Sequence, residues 1–257
     1  MPVAFIEVLP LWLLLCLTVA TVLGSAELGH RFGAYRRKRS ELDKTEPVHA
    51  MTGTMLGLLA FLLAFVFGLA ATRYSARQDL VIREANAIGT CYLRTDLLPE
   101  PQREPARSLL REYVDVRLAW AASESAGDAR HSQQIHSKLW KIAVRFGREN
   151  SGSESASLFI DSLNEVIDVH EERVLARAHI NGTIWATLFL LTVIGFSTTG
   201  YYTGLHASSR SPVLVATALA FAVVIVLVAD LDRPMDGLIT TKQHAMLNLK
   251  ESLQREK

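Results

Sequence analysis

The amino-acid sequence predicts an all-α, polytopic membrane protein with four transmembrane helices and a helical bundle inserted between the second and third spans. Four apolar runs without a charged residue lie at residues 8–26, 50–72, 180–205 and 211–229. Each is long enough to cross a hydrocarbon core of about 30 Å as a helix, the structure that pairs backbone polar groups within their own segment. Between the second and third runs, residues 73–179 are rich in charge of both signs.

These runs divide the chain into four parts. Transmembrane helices 1 and 2 with a basic connecting loop occupy residues 1–72, the soluble helical bundle 73–179, transmembrane helices 3 and 4 residues 180–232, and a polar, helical C-terminal tail 233–257. The formal net charge of +1 indicates no nucleic acid as a partner, and the expected partner is the lipid bilayer. Cys16 in the first span and Cys91 in the insert are not expected to form a disulfide or a metal site.

The first span has some features of a signal peptide. Gly24, Ser25 and Ala26 are the small residues that a signal peptidase prefers. The preceding segment contains Glu7 and no Lys or Arg, however, whereas a signal peptide begins with basic residues, so we expect the span to be retained. By the positive-inside rule the basic first loop favours a cytoplasmic location for that loop and an extracytoplasmic insert.

The insert is predicted to contain four helices from the spacing of its apolar residues. The first continues from the second span and stops at Pro99, Pro101 and Pro105. The second ends near Gly127, and the third is closed by the stretch from Gly147 to Gly152. The fourth begins near Ser153 and runs toward the third span. We therefore expect a four-helix antiparallel bundle whose first and last helices are continuous with spans two and three. Its mixed charges indicate a solvated surface rather than an ion vestibule or docking face.

One side of the second span carries small residues three and four positions apart. Such a pattern favours close approach of another helix. Alternatively this side lines a pore, in which Phe61 and Phe65, one turn apart, form a hydrophobic constriction around an axis shared by several copies. The candidate residues for helix packing or for a pore are Gly53, Gly57, Phe61, Ala64, Phe65 and Gly68.

The end of the third span, residues 195–204, combines glycines with hydroxyl residues and two tyrosines. Hydroxyl groups in a span bond to their own helix or to a neighbouring one, so helix packing is the favoured interpretation. A polar permeation path is the alternative.

The turn after the fourth span holds charges at a membrane boundary. The candidate residues of this turn are Asp230, Asp232, Arg233, Pro234 and Asp236. Such charges are costly unless paired, so we expect Arg233 to bridge to a nearby acid in a structural clamp, with Pro234 ending the helix. The alternative, a hard cation bound by the three aspartates, lacks the spacing of a calcium loop. The sequence therefore predicts no metal, and predicts that Arg233→Ala disturbs assembly or stability more than a substitution at any insert arginine.

Catalytic motifs are missing from the sequence. It contains no recognisable nucleophile with a base, phosphate-binding loop or metal cluster. His131 and His136 are five positions apart, and His170 has no second histidine beside it, so a zinc site is not expected. No ionisable residue lies deep in a span, as a proton-coupled transporter would require. We therefore predict that the protein is not an enzyme and binds no cofactor.

Residues 49–67, Glu84 with Ala85, residues 92–99 and the LDRPMDG stretch at 231–237 resemble the bacterial bestrophin-like membrane proteins, the domain of unknown function DUF4239. The resemblance covers nearly the whole chain and implies kinship with bestrophins, pentameric anion channels whose pore is lined by the second span. Bestrophins have a proline in the pore helix and an acidic calcium clasp after the fourth span. Here the second span has no proline, and only three scattered aspartates follow the fourth span, so calcium gating is not expected. Bestrophins keep their insert in the cytoplasm, in conflict with the orientation that the basic loop favours.

The function expected from residues and resemblance together is a homo-oligomeric, bestrophin-like anion channel, a multi-pass protein of the bacterial inner membrane. The alternative is a membrane-anchored sensor or scaffold without a pore, whose helical insert binds a partner. The channel predicts a central axis surrounded by the second span, and the scaffold predicts an exposed groove on the insert.

Overall fold

The structure is a computed structural model that describes residues 9–39, 46–123, 126–206, 212–233 and 237–255. Over these residues it is helical and contains no strand, which confirms the all-α prediction. Its α-helices in chain order are α1 Leu11–Arg39, α2 Glu46–Arg94, α3 Glu100–Ser123, α4 Ala126–Glu149, α5 Glu154–Leu175, α6 Gly182–Leu205, α7 Pro212–Asp232 and α8 His244–Arg255, with a 3₁₀ turn at Thr95–Leu97.

Four of these helices, α1, α2, α6 and α7, are long and apolar enough to cross a membrane, as predicted. Local sequence explains where two of them begin. Pro212 starts α7, where its missing N–H needs no partner. Asn181 precedes α6, and its side-chain oxygen accepts a hydrogen bond from the Thr183 amide at 3.0 Å.

The chain forms two compact units, one of residues 1–73 and 179–240, the other of residues 74–178 and 241–257. In the first unit, α1 packs against both α6 and α7. Phe196 of α6 and Phe221 of α7 meet edge to face, with ring centroids 5.5 Å apart. Leu56 and Leu59 of α2 lie next to Gly195 of α6. All four spans therefore contribute to this unit.

The second unit is a helical bundle with one apolar core. Leu110, Ile135, Phe159 and Leu163 are fully buried in it. Each such side chain stabilises the fold by about 1.5–3 kcal/mol relative to exposure. The core also includes Met246 and Leu253 of α8 with Leu249 packed beside them, and 246, 249 and 253 share one helix face. The C-terminal helix is thus a fifth member of the bundle that the four-helix prediction did not include.

A further prediction about the insert is wrong, and another holds only in part. The last insert helix is not continuous with the third span, because α5 ends at Leu175 and residues 176–181 are not helical before α6 begins. The predicted break before the second insert helix is present, because Pro99 lies between the 3₁₀ turn and α3. The break does not extend to the other two prolines: Pro101 lies in the first turn of α3 and Pro105 lies inside the helix. A proline in a first turn loses no hydrogen bond, whereas Pro105 removes one. The predicted continuity of the second span with the insert is present, because α2 runs from Glu46 to Arg94.

Candidate functional site

The second span has a covered and an uncovered side. Leu59, Leu63, Val66 and Ala70 are buried on one side of α2. The candidate residues Gly53, Gly57, Phe61, Ala64, Phe65 and Gly68 are all exposed on the chain surface. Among the described residues, a Cβ added at Gly53, Gly57 or Gly68 would meet no atom within 4 Å.

The exposed fractions of the two phenylalanines, 72% for Phe61 and 66% for Phe65, are large for aromatic side chains. Within the described part of the chain, no helix covers this side of α2. We call the six candidate residues the open face of α2. The structure brings them together on one surface, and their role in packing or in a pore stays a prediction.

The closest helix crossing lies between α1 and α6 and uses different glycines. Gly29 and Gly33 of α1 face Gly200 and Gly204 of α6, and a Cβ added to any of the four would overlap backbone atoms of the facing helix. Both pairs have the small-xxx-small spacing that lets two helices approach closely in lipid. The predicted packing role of the third-span glycines therefore has a visible partner in α1, which the sequence analysis did not single out although its spacing carries the same signal.

The turn after α7 is held by backbone hydrogen bonds to its acids. The Asp230 carboxylate accepts hydrogen bonds from the amides of Leu238 at 2.9 Å and Ile239 at 3.2 Å. The Asp232 carboxylate accepts from the amide of Ile180, just before α6, at 3.0 and 3.1 Å. Since these oxygens are used by backbone donors, they are poorly placed to bind a cation. The described residues contain no cluster of three His, Cys, Asp or Glu that could hold a metal.

Arg233 reaches a different part of the first unit. Its Nη2 atom donates to the carbonyl oxygen of Leu9, at 2.6 Å, so the end of α7 is joined to the start of the described chain. Pro234 and Asp236, the other two candidates of this turn, lie outside the described residues. The clamp role of the turn remains a prediction, which these bonds support.

The second unit contains a buried charge cluster, made of Glu84, Arg117 and Arg173 with Tyr113, His136 and His170 around them. Glu84 and Arg117 have fully buried side chains. One carboxylate oxygen of Glu84 accepts from Arg117 Nε at 2.6 Å, and the other accepts from Arg117 Nη2 at 3.3 Å and from Arg173 Nη1. A charge removed from water is stable only when paired in this way.

The neutral members of the cluster add further hydrogen bonds and ring contacts. The Tyr113 hydroxyl donates to Glu84 at 2.9 Å, so its oxygen is left to accept from Nδ1 of His170 at 3.0 Å. The His136 ring lies edge-on to His170 with centroids 4.9 Å apart. Burial is the main cause that lowers the pKa of His136 to about 4 and that of His170 to about 3, with the nearby Arg117 charge adding to it. Both rings are therefore neutral near pH 7.

An aromatic stack borders the buried charge cluster. The guanidinium of Arg117 lies 4.0 Å and that of Arg177 lies 3.2 Å from the centre of the Trp120 ring. Cation–π contacts of this kind partly replace the hydration that a buried guanidinium loses. The cluster is closed to solvent and its carboxylate is saturated by donors, so its chemistry is that of a structural junction among α2, α3, α4 and α5.

Sequence analysis missed this cluster. The prediction that insert charges form a solvated surface is right for pairs such as Arg83 with Glu172, whose side chains are about half exposed. It is wrong for Glu84, Arg117 and Arg173. The available signal was the position of Glu84 in an apolar stripe, since Leu80 and Ile88, one turn away on either side, are both buried.

The sequence and the fold of this chain are both similar to those of known proteins. The family model of the bestrophin-like domain matches residues 16–246 of the chain. A bacterial bestrophin homologue from Klebsiella pneumoniae superposes with a TM-score of 0.65 at 16% identity, covering 96% of this chain and 98% of that chain. A single-substitution variant of that homologue gives 0.66 at 17% identity, covering 95% and 98%.

A third solved structure, described as a membrane protein, gives 0.65 at 16% identity and covers 95% and 97% of the two chains. No curated protein sequence matches the chain. At these identities the solved structures show a shared fold alone, whereas the domain match extends over most of the sequence. The chain belongs to the bestrophin-like family.

Proposed function

We propose that this chain forms a homo-oligomeric anion channel of the bacterial inner membrane, in which the open face of α2 surrounds the conducting axis. The observation that carries the proposal is that small residues and two phenylalanines lie together on a span surface that nothing else in the described chain covers. Family membership supports a membrane protein of channel type rather than an enzyme.

Small residues on a span allow the backbone of another helix to come close. On a surface that faces lipid they have no such advantage, because small side chains only make fewer contacts there. In this chain the glycine pairs of α1 and α6 meet each other, whereas a Cβ added at Gly53, Gly57 or Gly68 would have no neighbour within 4 Å in the part of the chain that the structure describes. A second copy of the chain is the simplest occupant for this surface. Several copies arranged around one axis would bring their α2 helices side by side.

Phe61 and Phe65 would then form an apolar ring around the axis. Residues 50–72 contain no Asp, Glu, Lys or Arg, so a ring of formal charges cannot set ion selectivity in this segment. A hydrophobic constriction gates by dewetting, and the edge of an aromatic ring is electropositive, which favours an anion over a cation during passage.

The test is chloride efflux from liposomes that contain the purified protein. Wild-type protein is expected to release chloride. A double variant with Phe61→Ala and Phe65→Ala is expected to release it faster, because its apolar constriction is wider. Phe189→Ala is the matched control, since Phe189 is an exposed phenylalanine of α6. An efflux rate equal in all three proteins would contradict the assignment of the gate. Absence of flux together with a monomeric mass would contradict the channel and favour the pore-free sensor or scaffold.

A further inference from the structure

A groove of about 960 Å³ lies in the first unit among α1, α6 and α7. It takes no part in the open face of α2 or in the turn after α7. Its walls are apolar, from Leu23 of α1 and from Leu214, Val215 and Leu219 of α7. Its polar end is formed by Glu27, His30 and Arg31 of α1. A cavity with apolar walls and one polar end matches a ligand that has the same two parts.

The polar end is held in place by its own bonds. Thr203 donates its hydroxyl proton to the Gly200 carbonyl at 2.8 Å, so its oxygen accepts from Nδ1 of His30 at 3.1 Å. Arg31 pairs with Glu27 of the previous turn at 2.9 Å, and the Arg31 side chain is 74% exposed. The Glu27 carboxylate uses only the Nε–H of Arg31 in this pair, so the other N–H groups of the guanidinium are available to an anion.

The charge around this end of α1 is positive. The last turn of α1 carries Arg36, Arg37, Lys38 and Arg39. Pro212, which also lines the groove, is the first residue of the 21-residue helix α7, and helix N-termini attract phosphate groups. Basic residues at the end of a span, next to a pocket between transmembrane helices, are the usual setting for anionic headgroups.

We propose that this groove binds an anionic phospholipid of the surrounding bilayer, with an acyl chain along the apolar walls and the phosphate beside Arg31. Lipid explains both halves of the groove. A free phosphate ion would leave the apolar walls uncovered, whereas a zwitterionic lipid such as phosphatidylcholine would bring a second cation to the basic end. The proposal is independent of ion conduction.

Native mass spectrometry of the full-length protein in detergent tests it, with phosphatidylglycerol and phosphatidylcholine added in turn. Phosphatidylglycerol is expected to remain bound in preference. Arg31→Gln is expected to weaken its binding about fivefold, the usual contribution of one basic residue near an anionic lipid. Val215→Trp, which fills the apolar part, is expected to weaken the binding of both lipids. Arg148→Gln, an exposed arginine of α4, is the matched control and should bind both lipids as wild type does.

Equal binding of the two lipids, or an Arg31→Gln variant that behaves as the Arg148→Gln control, would overturn the proposal. Displacement of phosphatidylglycerol by millimolar inorganic phosphate would assign the polar end to a free anion instead. A Val215→Trp variant with altered oligomer mass and unchanged lipid binding would assign the groove to a contact between copies. Arg31→Lys keeps the charge and should restore binding, which separates loss of lipid from loss of fold.

Discussion

Arg117 has its guanidinium fully buried between the Glu84 carboxylate and the Trp120 ring. Arg117→Ala would leave that carboxylate with one of its two cationic partners and with unfilled space beside it. Removing one partner of a buried ion pair typically costs about 3–5 kcal/mol, a large part of the stability of a domain. We expect a correspondingly large fall in the midpoint of thermal unfolding, measured in detergent by circular dichroism.

This expectation reverses the sequence-based one, which ranked Arg233→Ala above any insert arginine. Arg145→Ala, an exposed arginine of α4, is the matched control and should change the stability by less than about 0.5 kcal/mol. A second variant, Arg117→Met, keeps the Glu84–Arg173 pair and fills much of the space left by the arginine, so it should recover part of the loss. An Arg117→Ala protein as stable as the control would refute the structural role of the pair.

The two buried histidines make the free energy of unfolding depend on pH. Burial lowers the pKa of His136 to about 4 and that of His170 to about 3, so the unfolded chain, with values near 6.5, binds protons more readily than the folded one. Their stabilising contribution is complete above about pH 6.5 and falls as the pH drops toward 4. Each histidine that takes up a proton on unfolding lowers the free energy of unfolding by about 1.4 kcal/mol for every pH unit of decrease within this window.

His136→Gln is expected to reduce that slope by about 1.4 kcal/mol per pH unit, measured by denaturant unfolding between about pH 6 and pH 5. His131→Gln is the control, because His131 is partly exposed and pairs with Glu112 instead of lying in the cluster. The groups that face the two rings are Tyr113, Glu84, Arg117 and Arg173, and both variants leave them unchanged. An unaltered slope in His136→Gln would show that this ring does not titrate on unfolding.

At the scale of elements, the crossing of α1 and α6 depends on the absence of side chains. Gly29→Ala would place a methyl group on the backbone of Ser197 and force the helices apart, which costs about 1–3 kcal/mol as overpacking does. Gly24→Ala offers a control in the same helix, since a Cβ there meets nothing within 4 Å. We expect a lower unfolding midpoint for Gly29→Ala and an unchanged or higher one for Gly24→Ala. Equal midpoints would mean that the crossing tolerates a wider spacing.

Most elements follow from local signals in the sequence. Apolar runs give the spans, and Ser153 and Pro212 mark the starts of α5 and α7. Pairings between distant parts of the chain are different. Glu84 meets residues 33 and 89 positions away, and no periodicity tells which arginines will be buried with it. The docking of α8 depends on a short apolar stripe whose partner lies far back in the chain, so its amphipathic pattern indicates a buried face without saying where.

For the whole molecule, shared architecture at 16% identity shows which features of the chain define its fold. Four apolar spans and a helical insert can be built from many sequences, because lipid requires only length and apolarity of a span and a soluble core accepts volume-conserving exchanges. Function depends on particular surfaces instead. In this chain the surface that separates a channel from a lone membrane anchor is the open face of α2.

That face predicts a specific cross-link between copies. Gly57→Cys, in a chain with Cys16→Ser and Cys91→Ala to remove the native thiols, is expected to give disulfide-linked dimers on mild oxidation in membranes, because the α2 helices of neighbouring copies lie around one axis. Val223→Cys, at a half-exposed position of α7, should link much less if α7 faces lipid. The readout is the dimer band on a non-reducing gel, with unchanged oligomer mass in detergent as evidence of intact assembly. Equal cross-linking at both positions, or none at Gly57→Cys, would contradict an axis lined by α2.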